Sequence, residues 1–397
     1  MVTTRTTLAP FAAAALIALS ACSGNPGGSI AGINAPGQSG AARAMSGVGA
    51  ARATSSVHHD ILPNTCPAHT PSVWASDLAT NQVFGYAAGG GAPCVTLNGT
   101  EALGGTPFNA PFYLATDAAG HLYVADLNND RVVRYTKKGV FSPLPTASQV
   151  YNTDYGSQAY QPEGVCVTRS GVLGVANRAY NNYGPTSVEV FNTSGTLIAF
   201  ATNRTLTSAG ACAFDKLGDL IVAGSTGNGQ QIYYLNRGLF TLTATLVNSG
   251  IPNTSYWISL YSRINGGADD YYLSADSPPT SCSPYCAPIS TWKLSNSAAG
   301  NGAPPASGTI FFQPAAATPW ICQITGYPNN YDAVFQAAPQ RGGIKGALFI
   351  ADYANSSVEQ SGPISCPDNA NATQANPTVF AAPAAPVGVA TYPSGQY

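Results

Sequence analysis

The stretch 111–139, PFYLATDAAGHLYVADLNNDRVVRYTKKG, constrains this chain more than any other feature. FYLATD runs into a turn at AAG, LYVAD into a turn at LNND, and RVVRYT continues toward Gly139. Alternating apolar residues bounded by Gly, Asn and Asp are the pattern of half-buried antiparallel strands. Looser copies recur along the chain. VWASD ends at Asp77, LYVAD at Asp126, LGVAN at Asn177, LIVAG at Gly224, YLSAD at Asp276 and LFIAD at Asp352, in steps of 49, 51, 47, 52 and 76 residues. A turn and a further strand follow each: QVFGYA, RVVRYT, SVEVFN, QIYYLN, ISTWKL and SSVEQS. An all-strand repeat of this period predicts a β-propeller, one blade per copy. The long last step reads as an insertion, with a seventh, degenerate blade in 320–345 as the alternative.

The C-terminus says how such a ring would close. APVGVATYPSGQY, residues 385–397, matches QPEGVCVTRSGVL and APFYLATDAAGHL, the first strand and turn of the repeat. With Gly395 set on Gly120, Tyr397 falls opposite Leu122, which is also where the first copy begins, at Val73. The two chain ends therefore complement each other, and residues 386–392 are expected beside the strand at Val73. Such pairing also removes an open sheet edge. The expected fold is all-β: a six-bladed propeller closed by its C-terminal strand.

The N-terminus carries a different signal. Arg5, an apolar run from Leu8 to Leu19 and then Leu19-Ser20-Ala21-Cys22 form a secretion signal too short to span a membrane. LSAC resembles the lipobox of bacterial lipoproteins, which implies that Cys22 is acylated and becomes the new N-terminus. An ordinary signal peptide with a coincidental cysteine is the alternative. Each buried CH₂ of an acyl chain contributes ~0.8 kcal/mol to membrane binding. The Gly-, Ala- and Ser-rich stretch that follows has no apolar period. The expected organisation is a signal peptide over 1–21, a tether over 22–65 and one propeller domain over 66–397, held at the cell envelope on the extracytoplasmic side.

Only 9% of the 397 residues are charged and the formal net charge is −2, which excludes the basic stripe a nucleic-acid binder needs. Besides Cys22 there are cysteines at 66, 94, 166, 212, 282, 286, 322 and 366. An even set in an exported protein favours disulfides. Zinc is the rival, weakened by the absence of a paired CxxC and by only four histidines, two of them, His58 and His59, in the tether. Counted from the openings of the next strands at Leu173 and Leu220, Cys166 and Cys212 differ by one residue in register. In a strand that offset turns side chains to opposite faces, as a bridge between neighbouring blades requires. Cys282 with Cys286, Cys66 with Cys94, and Cys322 with Cys366 are the remaining candidate pairs.

The pattern P-x-G-V-x-V…G-x-L-Y-V-A-D-x-x-N-x-R-V resembles the NHL repeat. It is sharpest from Pro111 to Tyr135, with Asp126, Asn129, Arg131 and Val132 near the expected places, and its opening recurs at Pro162–Val165 and Pro386–Val389. The resemblance implies a six-bladed propeller of the superfamily that also holds gluconolactonase and regucalcin-like enzymes and streptogramin lyases. Its members range from binding modules to metal-dependent hydrolases and lyases, so fold does not settle function.

Asp77, Asp126, Asp276 and Asp352 close equivalent strands, and the expected role of each is to accept hydrogen bonds from the turn that follows. Asn177 and Gly224 take the same place, which argues against carboxylates gathered on one ion. In gluconolactonase-type enzymes a carboxylate joins Asn and Asp ligands on a divalent ion in the channel. Glu163, near the start of a first strand, is the candidate here, but the other first strands offer Phe112-Tyr113, Gly210-Ala211, Trp257 and Trp320. Hard cations need several oxygens together. His121, in a turn, and His69, before the first copy, are poor general bases for lyase chemistry. Phe112, Tyr113, Trp257 and Trp320 are better placed as a stacking surface for a sugar or peptide. The expectation is a membrane-tethered module, without a cofactor, that binds a protein, peptide or glycan. The alternatives are a metal-dependent hydrolase or lyase with a divalent cation in the channel, and a purely structural envelope protein.

Overall fold

The computed structural model describes residues 66, 71–100, 105–135, 147–153, 160–179, 186–203, 208–214, 220–226, 229–235, 242–247, 258–265, 268–276, 289–295, 322–324, 330–335, 344–353, 355–366 and 378–392. All of them belong to the unit Val48–Tyr397. The signal peptide and the tether, with Cys22, lie outside the described residues, as do Trp257, Trp320, Cys282, Cys286 and His69.

The strands form six four-stranded antiparallel sheets. Val73–Asp77 (β1), Gln82–Tyr86 (β2) and Val95–Leu97 (β3) belong to the first. Pro111–Thr116 (β4), Leu122–Asp126 (β5), Arg131–Tyr135 (β6) and Ala147–Asn152 (β7) form the second. Tyr160–Val167 (β8), Leu173–Ala179 (β9), Thr186–Phe191 (β10) and Leu197–Asn203 (β11) form the third. The fourth holds Ser208–Phe214 (β12), Leu220–Thr226 (β13), Gly229–Leu235 (β14) and Leu242–Val247 (β15). The fifth holds Ile258–Asn265 (β16), Ala268–Asp276 (β17), Ile289–Ser295 (β18) and Cys322–Ile324 (β19). The sixth holds Asn330–Phe335 (β20), Ile344–Asp352 (β21), Ser357–Cys366 (β22) and Thr378–Ala381 (β23). Pro386–Thr391 (β24) then joins the first sheet beside β1, in the order β24-β1-β2-β3. Val73 pairs with Thr391 and Ala75 with Val389, where the alignment of the two chain ends puts them.

Five of the sheets are meanders of consecutive strands and the first is completed by β24; the first strand of each packs on its counterpart next door. Thus β4 touches β8, β8 touches β12, β12 touches β16, β16 touches β20, β20 touches β24, and β24 touches β4. This is a β-propeller fold. Within 320–345, Cys322–Ile324 (β19) and Asn330–Phe335 (β20) belong to the fifth and sixth sheets.

One expectation is corrected. Six of the strands are not half-buried: every residue of β1, β4, β5, β8, β10 and β24 is buried, whereas Thr378 and Val379 of β23 are exposed. The second sheet packs against the first on one face and the third on the other, so both faces of its strands are lined. Leu122 and Val124 of β5 join Trp74, Val83, Leu114 and Val133 in a core shared by the first two sheets. Tyr123, between them in sequence, points the other way, toward Tyr151 with ring centroids 6.3 Å apart, and Tyr151 lies 5.3 Å from Phe191 of the third sheet. Full burial of such side chains contributes about 1.5–3 kcal/mol each.

Two of the candidate disulfides are formed. Cys166 bonds Cys212, Cα atoms 5.5 Å apart, and so links the first strands of the third and fourth sheets as the one-residue offset requires. Gly174 makes the room, since a Cβ there would lie 2.9 Å from the Cys166 Sγ. Cys66 bonds Cys94 across 4.9 Å, fastening the segment ahead of β1 to the approach to β3. Cys322 lies in β19 and Cys366 in β22; their side chains are outside the described residues.

Candidate functional site

The end of the sheets at which the first strands begin is termed here the upper rim; it also holds the turns from second to third strand. The turns from first to second strand make the lower rim. At the upper rim the first strands share an irregularity. In β8 the ladder steps from Pro162 opposite Asn177 to Gly164 opposite Ala176, which leaves Glu163 bulged. The same skip occurs at Val387 in β24, at Gly210 in β12 and at Tyr331 in β20. In β4 it takes in both Phe112 and Tyr113. Bulges bend a strand and re-aim its side chains, and they recur at rims and next to sites.

The P-x-G opening has a packing reason. A Cβ on Gly164 would lie 2.8 Å from the carbonyl oxygen of Gly210 in the next sheet, and one on Gly388 would collide with the carbonyl oxygen of Phe112. Glycine lets neighbouring bulges approach backbone to backbone.

The predicted residues meet in part. Phe112 and Tyr113 are both buried and pack edge to face, centroids 5.0 Å apart with planes at 72°. Glu163 stands at the same level one sheet on and is only 2% exposed. Among the described residues no three His, Cys, Asp or Glu side chains converge on one point.

Of the aspartates that end second strands, Asp77, Asp126 and Asp352 face their turns, and the side chain of Asp276 lies outside the described residues. Asp352 accepts hydrogen bonds from the backbone N–H and the side chain of Asn355, at 3.1 and 2.9 Å. Asp77 accepts from Ala79 N–H at 2.9 Å and also from the N–H groups of Ala384 and Ala385, at 2.9 and 3.0 Å. Asp126 takes Asn109 N–H at 2.7 Å, Asn129 Nδ2 at 2.8 Å and Arg131 Nε at 2.7 Å. Each of the last two therefore holds the incoming segment as well as its own turn. Burial raises the Asp126 carboxyl above its usual range, against the pull of these three donors. The Glu359 carboxyl is raised by burial first and by the charge of Asp352 second.

His121 is more than a solvated turn residue. Its Nδ1 lies 2.6 Å from Oδ2 of Asp117, itself 3% exposed, and the imidazole is 29% exposed at the lower rim. Asp117 also accepts N–H bonds from Ala119 and His121, each at 2.9 Å. Burial would raise this carboxyl, but the His121 side chain and these two N–H groups outweigh it and hold it below the usual carboxylate range.

No motif marked Asn81, Asn109, Asn128, Gln161 and Arg178, yet they lie together along the upper rim, linked by the hydrogen bonds described below. Their only signal in the sequence is position: Asn81 and Asn128 in the turns after Asp77 and Asp126, Asn109 and Gln161 just ahead of Pro111 and Pro162, and Arg178 directly after Asn177.

No protein-family model matches the sequence, and no curated protein matches it either. Solved structures share its shape at low identity. A protein of unknown function from Bacteroides caccae is 11% identical, over 81% of this chain and 98% of its own, with a TM-score of 0.44. Virginiamycin B lyase from Staphylococcus aureus is 11% identical over 76% of this chain and 84% of its own, TM-score 0.36. The Dos1 propeller is 12% identical over 76% and 66%, TM-score 0.37. At TM-scores of this size none of these likenesses says what the chain does.

Proposed function

We propose that the chain is an NHL-like propeller that binds a protein, peptide or glycan at its upper rim while anchored outside the cytoplasm by acylated Cys22. In this reading residues 1–21 are removed, 22–65 form the tether, and the six sheets are the blades of one ring. Support for the ring comes from the pairing of β24 with β1 and the unbroken circuit of first-strand contacts. Support for the compartment comes from the two disulfides, which persist where thiols are oxidised.

The make-up of the bulge level carries the binding role. It offers Val387, Phe112, Tyr113 and Gly210, with Glu163 its one carboxylate among the described residues. Phe112, Tyr113 and Val387 are buried, which leaves the contact surface to the rim around them, whereas a lactonase or lyase would gather oxygen ligands at this level. Elemental analysis of protein purified without chelators tests it. The expected result is no stoichiometric metal; one divalent ion per chain that is lost in Glu163→Gln would overturn the reading in favour of the hydrolase or lyase. The anchor is tested separately: Cys22→Ala is expected to move the protein from the membrane to the soluble fraction, and unchanged partitioning would refute acylation.

A further inference from the structure

We infer that Asn81, Asn109, Asn128, Gln161 and Arg178 form a glycan-binding band on the upper rim, with an acidic sugar seated at Arg178. The inference rests on the binding role proposed above and names its ligand class. The band crosses three adjacent sheets. Asn81 Oδ1 accepts from Ala110 N–H at 2.8 Å, tying the first sheet to the lead-in of the second. From Asn109 the side chains bond to one another. Arg178 Nε donates to Gln161 Oε1 at 3.1 Å, Gln161 Nε2 to Asn128 Oδ1 at 3.3 Å, and Asn128 Nδ2 to Asn109 Oδ1 at 3.2 Å.

The direction of this relay is forced. A guanidinium can only donate, so Gln161 must turn its oxygen to Arg178 and its nitrogen to Asn128. Asn128 must then accept from Gln161 and donate to Asn109. Each amide oxygen of the relay is engaged within it, while donors on Asn81, Asn109 and Arg178 are left over. Among the described residues Asn81 Nδ2, Asn109 Nδ2 and both Nη groups of Arg178 make no hydrogen bond, and Asn81 and Asn109 are exposed.

A surface that presents donors on amides already locked in place selects a ligand rich in oxygen acceptors, and pre-organisation lowers the entropy of binding it. Hydroxyl and ring oxygens of a glycan fit, and a sugar carboxylate fits the end of the Arg178 guanidinium. A peptide fits less well. Extended peptides add to an unpaired strand edge, whereas this band lies on turns and strand ends.

Isothermal titration of the purified full chain with a hexauronate and with a hexaglucan tests the assignment. Asn109→Asp keeps the shape and the Asn128 contact but replaces an outward donor by an acceptor; Arg178→Ala removes the charge. The hexauronate is expected to bind more tightly than the hexaglucan, and each variant to weaken it roughly tenfold or more with an unchanged unfolding midpoint. Failure of both oligosaccharides to bind would overturn the assignment, as would binding that both variants leave intact. If a peptide library bound instead and lost binding in the same variants, the glycan class would be wrong while the binding role stood. A divalent ion held at Glu163 would instead count against the binding role itself.

Discussion

The first and second sheets share one plan but reach it differently. In the second, β4 to β7 follow one another along the chain, and the turn from β4 to β5 ties those strands covalently. In the first, β24 comes from the far end of the sequence, so the corresponding junction has no bond through the backbone. Polar side chains replace it. Ser76 Oγ accepts from Gly388 N–H at 2.9 Å and donates to the carbonyl oxygen of Phe112 at 2.6 Å, joining β1, β24 and β4. The equivalent residues of the other second strands are all alanine: Ala125, Ala176, Ala223, Ala275 and Ala351. Asp77 spends two of its three hydrogen bonds on the segment that leads into β24, whereas Asp126 spends two of its three on the side chains of its own sheet, Asn129 and Arg131. Thr116 Oγ1 adds a bond to the carbonyl oxygen of Thr391. Where the backbone gives no closure, the chain supplies hydroxyls and carboxylates.

The largest expected effect follows from removing the borrowed strand. Deleting 386–397 takes from β1 its whole ladder to β24 and exposes a buried edge. The truncated chain is expected to lose its cooperative denaturant transition and to aggregate, read by tryptophan fluorescence and light scattering. A sharp transition at the parental midpoint would show that the junction is dispensable. Next comes Gly388→Ala, which drives a methyl group into the Phe112 carbonyl. Overpacking of this kind costs about 1–3 kcal/mol. Gly210→Ala is the matched control: nothing lies within 4 Å of its added methyl, so the urea midpoint should barely change.

These contrasts also mark how far the sequence is legible. The strand repeat and the placing of 386–392 beside the strand at Val73 could be read because strand patterns are local and the two ends are complementary halves of one motif. The Cys166–Cys212 bridge could be read because a one-residue offset fixes which face a side chain takes. The turn-facing role of Asp352 was legible on the same local grounds. The second role of Asp77, holding Ala384 and Ala385, was not, because it joins residues that only the fold brings together. Two-sided burial was hidden as well: Tyr123 looks like an outward-facing residue until the aromatic wall of the next sheet is in place. His121 reads as an ordinary turn residue until Asp117 is found buried behind it. The amide band was least visible, since Asn in a turn is expected chemistry anywhere and only the hydrogen bonds between sheets set these apart.

A smaller effect isolates the latch. Ser76→Ala gives the first sheet the residue that its counterparts carry, at the expense of one buried bridge between strands. Loss of such a bond, with a buried N–H left unsatisfied, costs about 1–3 kcal/mol, and the lower part of that range is expected because Gly388 also pairs with Ser76 in the ladder. Ala125→Ser in the second sheet should bring no gain in stability. Equal urea midpoints for Ser76→Ala and the parent would mean that the hydroxyl is incidental to the junction.

The finest contrast is in pH, and it belongs to the second sheet. Asp117 sits in the turn that joins β4 to β5, and its carboxyl is held below the ordinary range once its hydrogen bonds outweigh burial. A folded-state pKa below the unfolded one means that the unfolded chain binds the proton more readily. The stabilisation is therefore complete above the unfolded value, about 3.9, and is lost as pH falls through the folded value. Hydrogen exchange at Ala119 and His121, whose N–H groups Asp117 accepts, should lose protection in that window relative to the ladder amides of β5. Asp117→Asn should remove the difference, since an amide neither titrates there nor carries charge toward His121. If the Ala119 and His121 amides stay as protected as those of β5 throughout that window, the covalent turn rather than its carboxylate holds this end of the sheet. The contrast between the two junctions would then rest on backbone connectivity alone.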